Sequence, residues 1–365
     1  MKKKHYNPET DFLKFFFAVI IAVFHSKKIF GYTPILPYAY TSTEFFFLVS
    51  GYFMANSALK CPSENLGKNS VAFIKKKIKV FYPYMLAAFL LSFAVKQLSL
   101  GHTFKEAIVE LGGSLPEILL IKLTGVKAVS MSNGPSWYLS AMILSMAVLF
   151  PLAVKFKENF THIVAPVGSL AIYAYLSQTT GSLNHAEEWL GYTTFGVLRA
   201  VAGLLLGCVC YEIVRAVNEK NITLTKFGKV VLSLFQLGAL GGLLFLMQKS
   251  RDFGPSWKLD YIEVILMFAV VTIMFTEKTG IAALMPEKLC RFLGKYSLPI
   301  YLVNRSTPYV LELLGLPDKL SYAQILPCYL AYVFGVAIIL LGIGKLAGIL
   351  CAKYKDKIKK IFIKA

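Results

Sequence analysis

Ten apolar runs follow one another along the chain, near residues 12–30, 42–59, 81–99, 136–154, 162–178, 194–214, 227–247, 259–276, 296–311 and 321–351. Most approach the ~20 residues that a helix needs to cross a bilayer. The pattern therefore predicts an all-α fold, a polytopic transmembrane bundle of about ten helices. The last run is longer than a bilayer requires and is expected to tilt or to extend beyond it. The longest connection, about 100–135, contains "SLPEILLIKL", which is too short to span; it either lies on the membrane or dips into the protein. "GPSW" occurs at 134–137 and again at 254–257, each time opening a run. Pro and Ser suit a helix start, so the repeat reads as two similar turns into a helix. One domain, 1–365, with no soluble appendage is expected.

Composition narrows the class. The chain is 56% hydrophobic and only 16% charged, with mean hydropathy +0.60, where soluble proteins of this length carry about a quarter charged residues. Lys14 interrupts the first run and no small-x-small site follows it, so the run is expected to persist as a span rather than act as a cleaved signal. The six cysteines form neither a disulfide framework nor a metal-ligand spacing. A net charge of +19 invites a nucleic-acid reading, but its distribution opposes one. When Lys27, Lys28, Lys96 and Lys229, at run ends, are counted with the adjoining segments, 25 of the 39 Lys and Arg fall on one side of the ten-run pattern, 10 on the other and four within runs. By the positive-inside rule both termini are cytoplasmic, and the excess charge is mostly topology.

Charged side chains inside a span cost several kcal/mol unless paired or wet, so they are the first functional candidates. Lys14 and His25 share one face of the first run, about 16 Å apart along a helix axis. Lys14 with Asp11 reads equally as a snorkelling lysine in a helical ion pair. His25 needs a partner for its N–H and reads as a structural hydrogen-bonded histidine or as a base. Glu44, in "TSTEFFFLVSGYFM", lies at about the same depth on the next run. From there a carboxylate is expected to orient His25 as a general base. Ser50 and Gly51 follow deeper, where small residues also permit close helix packing. Arg199, in "FGVLRAVAGLLLG", requires an anion or carboxylate. Asn304 and Arg305 follow Pro299, which weakens the helix before them. Trp137, Trp189 and Trp257 all fall at the outer boundary, as an aromatic belt or as sugar-stacking surfaces.

Taken in order, Lys14 and His25 at their spacing, "EFFFLVSGYFM", "IKKKIKVFYPYM", "SWYLSAMI", "RAVAGLLLG" and "LGKYSLPIYLVN" resemble the acyltransferase-3 family of integral membrane O-acyltransferases, over nearly the whole chain. Two positions depart from that pattern. Lys14 stands where arginine is common, which keeps the charge but loses the bidentate fork. Asn304 stands where histidine is frequent.

The resemblance implies a ten-helix protein of the bacterial plasma membrane. It would move an acyl group, usually acetyl in this family, from cytoplasmic acyl-CoA to a hydroxyl of a polysaccharide, lipid-linked sugar or similar acceptor. Acyl-CoA is then a co-substrate rather than a bound cofactor; no metal and no nucleic-acid partner are expected. In this reading His25, oriented by Glu44, deprotonates the acceptor and Lys14 helps hold the donor. Lys75, Lys76, Lys77 and Lys79 meet the coenzyme A phosphates, or else form a positive-inside loop on anionic lipid. Ser50, Trp137, Arg199, Asn304 and Arg305 bind the acceptor or polarise the carbonyl. A secondary transporter or flippase of glycans is the rival class, because it also uses midplane charges and broken helices. A catalytically silent relative is the third.

Overall fold

The structure, a computed structural model, describes residues 6–31, 34–126, 134, 136–249 and 256–362; the side chains of 30, 256, 257 and 347–362 lie outside that description. Among the described residues it is all-helical, with one isolated bridge between Trp189 and Thr194. The helices are α1 (Pro8–His25), α2 (Lys27–Phe30), α3 (Thr43–Leu59), α4 (Leu66–Ser99), α5 (Phe104–Gly113), α6 (Leu115–Ile118), α7 (Ser136–Asn159) and α8 (Ala165–Thr180). Then follow α9 (Phe195–Glu219), α10 (Lys226–Lys249), α11 (Ser256–Thr276), α12 (Ile281–Leu284), α13 (Glu287–Val303), α14 (Thr307–Leu313) and α15 (Tyr322–Phe362).

Among the described residues, six helical stretches are long and apolar enough to cross a membrane: 66–99, 136–180, 195–219, 226–249, 258–276 and 322–346. Ten runs were expected, and the difference has local causes. The runs at 136–154 and 162–178 join through a short π-helical turn, Phe160–Val164, although Lys157 (φ 47°, ψ −121°) breaks the helix between them. Helix α1 has 18 residues but carries Glu9, Asp11 and Lys14; α3 and α13 have 17 each. The run at 296–311 is divided, because the helix stops at Val303 and restarts at Thr307. There the side chains replace lost backbone partners: Asn304 Nδ2 donates to the Tyr301 carbonyl (2.7 Å) and Ser306 Oγ to that of Val303 (2.9 Å). A break buried among helices persists only with such substitutes.

The shorter, more polar helices are central. Helix α3 packs most extensively on α9, and α1 on α13. Lipid tails are as apolar as leucine, so helices associate through close packing rather than hydrophobic exclusion. Glycines permit it here: a Cβ on Gly51 of α3 would strike the Leu204 carbonyl, and one on Gly207 of α9 the Leu48 carbonyl. On α13, a Cβ at Gly294 would meet the Asp11 side chain at 2.6 Å. Helix α10 lies outside this core, with Phe227, Leu234 and Phe235 exposed.

The 100–135 connection takes both of its expected courses. Helix α5, capped by Thr103 and Glu106, has no buried residue. The "SLPEILLIKL" stretch dips inward, with Glu117 and Lys122 buried; Ser136 Oγ donates to Glu117 Oε1 (2.7 Å) and Lys122 pairs with Glu187 (2.9 Å). Of the second "GPSW", Gly254 and Pro255 lie outside the described residues.

Candidate functional site

Because α1, α3, α9, α11 and α13 run the length of the core, their ends gather two polar regions at opposite faces. The first lies at the His25 end. Helix α9 starts at Phe195 and brings Arg199 inward one turn later, where it is 2% exposed. Its guanidinium is fully occupied. Nε donates to Glu44 Oε1 (2.5 Å), Nη1 to the Leu183 carbonyl (2.8 Å), and Nη2 to the Tyr40 carbonyl (2.9 Å) and Thr43 Oγ1 (2.5 Å). The Tyr173 hydroxyl donates to the other Glu44 oxygen. Trp137, half-buried, lies 5.6 Å from the guanidinium carbon and packs edge-on to Phe47. Arg199 is thus a clamp that ties α9 to α3 and to the loops at 40–43 and 183.

The expected pairing of Glu44 with His25 does not form. Both carboxylate oxygens of Glu44 are taken by Arg199 and Tyr173, and His25 Nδ1 is buried with no hydrogen-bond partner. The charges whose fields reach His25 are Arg305 and Lys27. Arg199, likewise, directs four of its five N–H donors to Glu44, Thr43 and two backbone carbonyls. Trp137 packs inward rather than offering an open stacking face.

Around His25 the chain places other polar groups. Ser26 Oγ donates to the Val23 carbonyl and meets the Tyr322 hydroxyl at 2.9 Å. Asn304 is fully buried; its carbonyl accepts from Tyr329 (3.1 Å), while its side-chain Oδ1 is buried without a partner. Two unsatisfied polar atoms, His25 Nδ1 and Asn304 Oδ1, therefore end on helices that pack together, α1 and α13. Such atoms cost about 1–3 kcal/mol each when they are left unpaired. Ser50, by contrast, touches only the Tyr138 hydroxyl, at 3.5 Å. Tyr138 belongs to an aromatic wall with Phe46, Phe47 and Tyr301, their centroids 4.6–6.3 Å apart.

The second region is a cleft of about 500 Å³ at the Lys14 end, where Asn7 caps α1 and leaves that helix's first turns at the surface. It is lined by Lys14 and Asp11, by Tyr52, Phe53 and Asn56 of α3, and by Phe275 and Arg291. Lys14 pairs with Asp11 at 3.4 Å, and Arg291 stacks on Tyr6 at 3.4 Å. Tyr52 and Phe275 stack face to face, 3.7 Å apart. Of the four clustered lysines, Lys77 is half-buried and feels the charge of Lys14, whereas Lys75, Lys76 and Lys79 are exposed. The cleft is concave and aromatic, and its charges balance, Lys14 and Arg291 against Asp11 and Glu277.

Several members of the first region carried no assignment from sequence. Asp260 accepts from Tyr40 (2.6 Å) and the Leu183 amide (2.7 Å), and Glu263 accepts from Thr41; both are buried in α11. Their signal was present, since they are carboxylates inside an apolar run. Tyr173 had none. Among the described residues no cluster of His, Cys, Asp and Glu fits a metal ion.

Fold and site define a helical membrane protein with a partly buried histidine at one end and an aromatic cleft of mixed charge at the other. The chain belongs to the acyltransferase-3 family: the sequence model of its acyltransferase domain matches residues 7–342. No curated protein and no solved structure matches the chain.

Proposed function

We propose that this chain is a membrane O-acyltransferase of about ten spans in a bacterial plasma membrane, with both termini cytoplasmic. It carries an acetyl group from acetyl-CoA to a hydroxyl of a cell-surface glycan or lipid-linked sugar. The observation that supports this most is the division of α1: Lys14 lines the cleft at one end, and His25 lies unpartnered at the other, about 16 Å away. The donor's nucleotide would occupy the cleft against Lys14, Lys77 and Arg291, with the stacked Tyr52–Phe275 pair beside its base. The acyl-bearing arm would run along α1 toward His25, past the aromatic wall that keeps water from the thioester.

In the reaction, His25 takes the proton of the acceptor hydroxyl as its oxygen attacks the thioester carbonyl. The carbon–sulfur bond breaks, and the thiolate leaves and is protonated. Asn304 Oδ1, an acceptor held in place by two hydrogen bonds, would align the acceptor's hydroxyls. The Glu44–Arg199 pair supports the frame without touching the reacting atoms.

Purified protein in detergent, given acetyl-CoA and a cell-envelope glycan fraction, should release free thiol and yield acetylated glycan. A transporter leaves the thioester intact. Movement of glycan across vesicles without thiol release would overturn the proposal.

A further inference from the structure

The His25 end of the core holds a positive charge, on Arg305, that a neutral acceptor does not explain. Arg305 follows the break after α13 and is only partly exposed. Among the described residues it has no hydrogen bond and no ion pair, and the titratable groups that act on it are the tyrosines Tyr309 and Tyr329. Its guanidinium is nonetheless held in place, because the backbone of Gly134 lies against it: a Cβ there would come within 3.3 Å of Cζ. The glycine of the first "GPSW" thus makes room for this side chain. A desolvated guanidinium without a counter-ion is costly, and the other buried arginine of the core shows the usual remedy, a carboxylate. Lys27, over the Phe24 ring at 3.9 Å, adds a second positive charge near His25. A transient oxyanion calls for stabilisation only during the reaction. A standing positive charge calls for an anion that arrives with the substrate.

We propose that Arg305 binds an anionic group, a carboxylate or a phosphate, on the acceptor whose hydroxyl is acylated. The protein would then select acidic or phosphate-bearing glycans over neutral ones. A planar guanidinium pairs two donors with either group, which fixes orientation as well as affinity. The bound anion would also offset the positive charge that His25 gains with the proton, which Arg305 and Lys27 otherwise oppose. The word acceptor rests on the acyltransferase reading; the anion site does not.

Binding to the full-length protein in detergent separates the two. Thermal unfolding would be followed with glucose, glucuronate and glucose 6-phosphate, for wild type, Arg305→Lys and Arg305→Gln. Expected is at least tenfold tighter binding of one or both charged sugars than of glucose, kept largely by lysine and erased by glutamine. Whichever charged sugar binds tighter tells carboxylate from phosphate. Equal binding of all three sugars by the wild type overturns the proposal without any variant, as does a preference that survives Arg305→Gln. Displacement of the charged sugar by coenzyme A would instead place the donor's phosphates here, and would also overturn it. None of these readouts needs acyl transfer, so a failed transfer assay leaves them interpretable.

Discussion

Arg199 and His25 are both basic residues in apolar runs, yet the structure uses them differently. Arg199 donates to four groups, and His25 Nδ1 is left unpartnered. Removing one member of a buried ion pair strands the other, at about 3–5 kcal/mol. Glu44→Gln and Arg199→Met should therefore each lower the unfolding midpoint by several degrees, and the double variant should lose less than the sum. Additive losses would mean that the pair is not coupled. Lys14 is a different case, since it is a third exposed and pairs only with its helical neighbour Asp11. Lys14→Ala should raise the acyl-CoA concentration needed for half-maximal transfer roughly tenfold, about 1.4 kcal/mol, while Lys14→Arg stays near wild type. An unchanged requirement in steady-state kinetics would remove Lys14 from the donor site. That polar side chains in these runs matter was legible in the sequence, because a charge there is costly without a reason. Their pairing was not. Glu44 and Arg199 are 155 positions apart, and only the approach of α3 to α9 decides that the carboxylate faces arginine rather than His25.

The contact between α3 and α9 depends on residues without side chains. Gly51, Gly203 and Gly207 sit where a methyl group would collide with the facing helix, whereas Gly238 on α10 has open space around it. Alanine favours a helix over glycine by about 1 kcal/mol. Gly238→Ala should thus leave thermal stability unchanged or slightly raised, and Gly207→Ala should lower it and displace the Glu44–Arg199 clamp above. Equal effects in a thermal melt would show that α3 and α9 are not so closely packed. At this scale the apolar periodicity predicted each long helix. The first run carries three charges in an 18-residue helix, the second forms a helix of only 17 residues, and the ninth is divided by the break after Val303. The break at Asn304–Ser306 was foreshadowed by Pro299, but the helix yields four residues later, where side chains can take over the backbone's hydrogen bonds.

Across the whole molecule, the proposed function requires two ends that face different compartments. The excess of basic residues on one side predicts that the Lys14 cleft opens to the cytoplasm and the His25 pocket to the exterior. On a background without native cysteines, a cysteine at His185 should react with an impermeant maleimide from outside intact cells, and one at Lys76 only after permeabilisation. The reverse pattern would invert the orientation. If the ends divide the work between them, the loss of His25 should remove chemistry and spare donor binding. The direct measurement is calorimetric binding of acetyl-CoA to purified His25→Ala protein beside its acetyl transfer rate. The account predicts a dissociation constant within about threefold of wild type and transfer reduced by at least about a hundredfold. Near-normal transfer by His25→Ala would contradict it.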